Sequence, residues 1–150
     1  MLDYKFNNDA PLRIIAGPCQ IESEEHAMMM AEIIQGICSD VGVRWVYKSS
    51  FDKANRSSIE GKRGVGLRRG LEILEKIKKK YNVPIITDVH EPDQCGVVGE
   101  VVDIIQIPAF LCRQTDLIMA AAETKKIINV KKGQFISYTD VDNIKIKVNE

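Results

Sequence analysis

No stretch of the 150-residue chain approaches the roughly 18 consecutive apolar residues needed to span a bilayer. The opening MLDYKFNNDAPLR has no apolar segment of the kind that marks a secretory signal. Net charge is missing too: 21 Lys and Arg balance 21 Asp and Glu. No global field therefore recruits nucleic acid or an anionic membrane, and any anion site has to be built locally. The four cysteines, Cys19, Cys38, Cys95 and Cys112, form no CxxC pair and have no histidine beside them. That is neither a zinc-finger spacing nor a disulfide framework, and free thiols in a reducing cytoplasm are the expectation. There is no GxGxxG, no Walker sequence and no Ser-His-Asp order, so nucleotide and triad chemistry have no motif behind them. Linkers, low-complexity tracts and repeats are absent as well, which leaves one domain over residues 1–150.

What is present is alternation. RIIAGPC (13–19) reads as a short buried strand, followed by a helix over 23–42 with Ser23 as N-cap and Gly42 as its stop. Ala27, Met30, Ile33 or Ile34, and Ile37 recur at helical spacing and are its expected inward face. VRWVYKSS is a second strand, and residues 64–82 a second helix with Leu67, Leu71, Leu74 and Ile77 on one side. Lys76, Lys78, Lys79 and Lys80 read as its solvated face. VPIITDVHE, VDIIQIPAF and KIINVKKG are three more strands, separated by helices over 92–101 and 113–125. Apolar strands alternating with helices, at about 30 residues per unit, argue for a parallel sheet covered by helices. The tail from Phe135 is open: Val141 and Ile144 have helical spacing, whereas Ile144, Ile146 and Val148 alternate as in a strand.

Parity along the strands locates the chemistry. Val46, Lys48 and Ser50 share a face, as do Ile86, Asp88 and His90; Ile104, Gln106 and Pro108; Ile127, Asn129 and Lys131; and Ile15, Gly17 and Cys19. Each face is apolar early and polar near the strand's C-terminal end, where α/β sheets and barrels bind ligands. One such end residue reads as readily as a solvated boundary; five together point to a site. Lys48, Lys53, Arg56 and Lys131 supply positive charge, and Asn55, Ser57, Ser58 and Gln106 neutral hydrogen bonds, a set suited to phosphate oxygens. Asp88 and His90 are the nearby proton-transfer candidates. His90 reads equally as a rim group or a strand cap.

IAGPC (15–19), YKSSFDKANRSS (47–58), TDVHE (87–91), QIPAFLCRQTD (106–116) and NVKKGQF (129–135) closely resemble the 3-deoxy-D-manno-octulosonate 8-phosphate synthase family, the 2-dehydro-3-deoxyphosphooctonate aldolases of lipopolysaccharide biosynthesis. The resemblance runs unbroken from Ile14 to Phe135, and its KANRSS segment separates the family from heptulosonate-phosphate and sialic acid synthases. It implies condensation of phosphoenolpyruvate with D-arabinose 5-phosphate, with release of phosphate. It also implies that Lys48, Gln106, Lys131 and the backbone around Ala109 hold phosphoenolpyruvate, that Asn55, Arg56 and Ser57 contact the sugar phosphate, and that Lys53 and Asp88 lie near the reacting atoms. Cysteine at position 19 resembles the metal-dependent class, implying Cys19 as a ligand to a divalent metal. Cytoplasmic location and a homo-oligomer, a tetramer in the family, are further implications.

The implied fold is a (β/α)8 TIM barrel of about 250 residues or more, whereas five strands are legible here. The expectation is therefore the N-terminal part of such a barrel, about five parallel strands with surrounding helices. The remaining His, Glu and Asp metal ligands would lie beyond Glu150. Ser137-Tyr138-Thr139-Asp140 also departs from the S-P-W-D pattern of the family. Two function classes follow: the synthase, represented by its N-terminal part, and a catalytically silent fragment that folds or self-associates without turnover. The 150 residues alone are expected to lack turnover and tight metal binding.

Overall fold

The computed structural model describes residues 6–149. Five strands, β1 (Arg13–Ala16), β2 (Arg44–Lys48), β3 (Ile85–Asp88), β4 (Ile104–Ile107) and β5 (Ile127–Val130), alternate with α1 (Glu24–Asp40), α2 (Leu67–Tyr81), α3 (Gln94–Val101), α4 (Thr115–Glu123) and α5 (Val141–Asn149). All neighbouring strands are parallel and in sequential order β1 to β5, so the sheet is a half-barrel. Between β4 and α4 a single 3-10 turn, Ala109–Leu111, carries the chain across the strand ends.

The main core lies between the sheet and its helices, where Tyr47, Ile85, Ile105 and Ile107 meet Ile73, Leu74 and Ile77 of α2, with Val98 and Leu117 from α3 and α4. The opposite face is thinner: Val46, Ile86 and Ile104 form a separate buried cluster. Register continues that layer to Ile15 opposite Val46 and Ile127 opposite Ile104, both only half covered. This apolar floor lies beneath the polar row described below.

Helix α1 begins as its sequence dictates. The Ser23 hydroxyl accepts from the His26 amide at 3.1 Å, and Glu24 and Glu25 occupy the first turn, where the helix dipole favours anions. The expected inward face is offset by about one position. Ala27, Ala31 and Cys38 are buried and Ile34 packs against the core, but Ile33 and Ile37 are about half exposed. Small side chains on the inner line bring the helix close to the sheet, and a choice between adjacent isoleucines is not resolved by spacing alone.

In α2, Ile73, Leu74, Ile77 and Tyr81 are buried, with Leu67 and Leu71 at the margin. Gly70 is required by contact: a Cβ there would collide with the Cβ of Phe51. The solvated-face reading holds for Lys79 and Lys80 but not for Lys78, whose ammonium donates to Val101 O and Asp103 Oδ1, each at 2.9 Å. Asp103 also accepts from the Ile85 amide at 2.9 Å, tying α2 to the starts of β3 and β4. The tail is a helix: Ile144 of α5 packs with Cys112, Ile118 and Ile136, and Lys147 donates to Thr115 Oγ1 at 2.7 Å.

Candidate active site at the strand C-termini

Register places the polar residues of three strands in one row. Asp88 stands opposite Gln106, and Gln106 opposite Asn129, one pleat beyond the Ile86–Ile104–Ile127 layer. Ser50, just past β2 and bridged to Gln20, continues the row on the other side. Its hydroxyl donates to Asp88 Oδ2 at 2.5 Å and accepts from Lys53 Nζ at 2.8 Å and Lys48 Nζ at 3.1 Å. Gln106 Nε2 donates to Asp88 Oδ1, and Asn129 Nδ2 to Gln106 Oε1 at 2.8 Å.

Asp88 and Gln106 are almost wholly buried. Burial pulls the Asp88 carboxyl upward, but Lys48, the Ser50 and Gln106 donors, and Lys53 together outweigh it and hold it below the ordinary carboxylate range. The two ammoniums lie 3.8 and 3.7 Å from Asp88 Oδ2. Burial lowers the Lys48 pKa, with Lys53 and Lys131 adding repulsion against the attraction of Asp88 and Cys19. Two cations against one carboxylate, with a third in electrostatic reach, leave an excess of positive charge in a partly dehydrated place. An anionic ligand relieves it.

Above the row lies a cleft of about 450 Å³ lined by Lys53, Asn55, Asp88, His90, the Pro108–Leu111 turn, Lys131 and Gln134. The loop carrying Lys53 and Asn55 is pinned at its base. Lys53 N donates to Arg63 O at 2.7 Å, Gly66 N to Phe51 O at 3.0 Å, and Arg63 grips Asp52 with two donors. Gly17 lets β1 approach: a Cβ there would overlap the Lys48 carbonyl.

The structure thus brings Lys48, Lys53, Asp88 and Gln106 into one bonded cluster, with Asn55, Ala109 and Lys131 on the cleft wall. Arg56 and Ser57 are on the same loop but are exposed and do not line the cleft. The Arg56 guanidinium donates to Gln20 Oε1 at 2.6 Å and to Lys62 O at 3.0 Å. His90 is on the rim: its ring meets Phe51 edge-on with centroids 5.8 Å apart and lines the cleft. Its Nδ1 is buried without a hydrogen-bond partner, and burial lowers its pKa. Gln94 Oε1 accepts from its backbone amide at 2.8 Å, so the strand end is capped by another residue.

Cys19 is exposed. Among the described residues no three of His, Cys, Asp and Glu come together in a way that could hold a metal ion. The residues present therefore do not fit a divalent metal on their own. Sequence reasoning placed Ser50 and Asn129 on the right face without assigning them a role, and it missed Gln20 and Gln134. Only the parity of Ser50 and Asn129 gave a signal.

The family model for the DAHP synthetase I family matches residues 3–150. The chain belongs to the DAHP synthetase I family. Within that family it is 57% identical over 146 residues to the 2-dehydro-3-deoxyphosphooctonate aldolase of Rickettsia typhi (strain ATCC VR-144 / Wilmington), covering 97% of this chain and 53% of that protein. The enzyme of the same name from Rickettsia bellii (strain OSU 85-389) is 53% identical with the same coverage of both. The chain spans about half the length of the curated relatives it matches. Membership agrees with the parallel half-barrel and with a polar row at the C-terminal ends of its strands. Among the described residues no helix is long and apolar enough to cross a membrane.

Proposed function

We propose that this chain serves the condensation of phosphoenolpyruvate with D-arabinose 5-phosphate, yielding 3-deoxy-D-manno-octulosonate 8-phosphate and inorganic phosphate. The observation that carries the reading is the pair of lysines, Lys48 and Lys53, gathered through Ser50 onto one buried carboxylate beneath an open cleft. A solvated boundary has no reason to concentrate cations against burial, whereas a site for phosphorylated acids does. The names of the relatives point to the same chemistry.

In this reading Lys48 and Lys131 neutralise phosphoenolpyruvate, with Gln106 and the Ala109 turn below and beside it. Asn55 faces the sugar phosphate from the loop. Arg56 and Ser57 join it after the Arg56 guanidinium leaves Gln20, since both now lie off the cleft. Carbon 3 of phosphoenolpyruvate attacks the aldehyde carbon of the sugar, water adds at carbon 2, and the carbon–oxygen bond to phosphate breaks. Lys53, hydrogen-bonded to Ser50 and near Asp88, is placed to protonate the aldehyde oxygen as it becomes an alkoxide. Among the described residues no three of His, Cys, Asp and Glu come together, and the roles above belong to this chain's own side chains.

Calorimetric titration with each substrate, followed by a phosphate-release assay on the mixture, tests the reading. Saturable phosphoenolpyruvate binding that is lost in Lys48→Ala is the expected result, and phosphate release that requires arabinose 5-phosphate would show that these 150 residues suffice for turnover, against the expectation from the sequence. Equal heats from wild type and Lys48→Ala would remove the site. Binding without release would favour the catalytically silent alternative.

A further inference from the structure

A carboxylate accepts hydrogen bonds and donates none, so everything that touches Asp88 has to present a donor. That requirement propagates along the row. Gln106 must turn its NH2 end to Asp88 Oδ1, which leaves its carbonyl oxygen facing β5. The neighbour on β5 must then be a donor, and Asn129 supplies one, Nδ2 to Gln106 Oε1 at 2.8 Å. We propose that Asn129 is a positioning residue of this site, fixing which end of the Gln106 amide faces Asp88.

Fixing that orientation has a consequence for the lysines. With Gln106 on Oδ1 and Ser50 on Oδ2, both carboxylate oxygens already have a short-range donor. Lys48 and Lys53 then stand off at 3.8 and 3.7 Å, each bonded to the Ser50 hydroxyl. An ammonium has three N–H donors, so capacity remains for the oxygens of a ligand. A reversed Gln106 would put its oxygen against Asp88, raise the carboxyl pKa and draw the lysines into direct pairing. The proposal deepens the reading of the cleft as an anion site, but its orientation claim is read on the chain without any ligand.

The test is nuclear magnetic resonance of the Asp88 carboxyl and the Gln106 side-chain amide during a pH titration. Lys48 and Lys53 from the β2 side, Cys19 beyond β1, His90 and Glu91 beyond β3, Asp52 and Arg63 at the loop base, and Lys131 beyond β5 are other charged or titratable groups around the row. Asn129→Asp replaces the donor with an acceptor. It should turn the Gln106 amide and raise the Asp88 midpoint by about one pH unit or more. In a Gln106→Met background the same substitution should give less than half that shift, because only the through-space charge remains. Asn129→Ser, which keeps a donor, should leave the Asp88 midpoint near its wild-type position. An equal shift in both backgrounds, or none in either, would overturn the proposal. Should Asn129→Asp not fold, Asn129→Val decides: with no donor on Oε1 the Gln106 amide should turn away from Asp88 part of the time, and its protons, which Asp88 otherwise accepts, should exchange with water about tenfold faster or more. Unchanged exchange would overturn the proposal. Failure to bind phosphoenolpyruvate would count against the proposed function and leave these readouts untouched.

Discussion

Ser50, just past β2, and Asp88 of β3 are joined at the C-terminal end of the sheet by a short link, hydroxyl to carboxylate at 2.5 Å. The hydroxyl is saturated. Its one proton goes to Asp88, and its lone pairs accept from Lys48 and Lys53. A side chain of two heavy atoms thus sets the resting place of two cations and one anion.

Ser50→Ala should therefore destabilise the fold by about 1.5–3 kcal/mol, the usual cost of stripping a hydrogen bond from a buried charged group. Urea unfolding at neutral pH checks the magnitude. A loss under 0.5 kcal/mol, as at an ordinary surface position, would show that the hub has no energetic weight.

Stability should fall with pH in two separate windows. The folded His90 pKa is lowered from 6.5, so the unfolded chain binds the extra proton first, and stability declines as pH drops below 6.5 toward the folded value. The folded Asp88 pKa is lowered from 3.8, so its contribution is complete above 3.8 and is lost as pH falls through the folded value. Urea midpoints measured against pH should lose the first component in His90→Gln and the second in Asp88→Asn. Profiles that keep both components in both variants would assign the titrations to other groups.

Gly70→Ala should be disruptive even though alanine is the better helix former. The added methyl meets Phe51, which closes the main core behind the Lys53 loop. Overpacking of this kind typically costs about 1–3 kcal/mol. A thermal midpoint equal to wild type would mean that Phe51 yields freely, and that the loop base is softer than its hydrogen bonds imply.

Much of this was legible in the sequence, because strand parity is a rigid rule. Once Ile86, Ile104 and Ile127 were placed on the early, apolar part of their strand faces, Asp88, Gln106 and Asn129 had to follow on the same face two residues later. The alternation of apolar strands and helices specified the parallel order for the same reason. Helical faces were less secure: a run such as Met28–Met30 or Ile33–Ile34 offers adjacent candidates, and the depth of Ala27, Ala31 and Cys38 is decided by packing against β2 and α2. The Arg56–Gln20 bond was not legible, since it joins residues 36 positions apart through loops whose path depends on the Asp52–Arg63 clamp. Nor did composition show Lys78 as a tether, because its role comes from Asp103 on a neighbouring strand's approach.

In the proposed function the C-terminal end of this half-barrel receives a phosphorylated acid between Lys48, Lys53 and Lys131. Amide and lysine-ammonium shift mapping during titration with phosphoenolpyruvate reads it residue by residue. Saturable shifts are expected at Lys48, Ser50, Lys53, Asp88, Gln106, Lys131 and Gln134, abolished together in Lys48→Ala. Shifts confined to the opposite end of the sheet, at the groove lined by Gln35, Cys38, Arg44 and Trp45, or no saturable shifts at all, would contradict it.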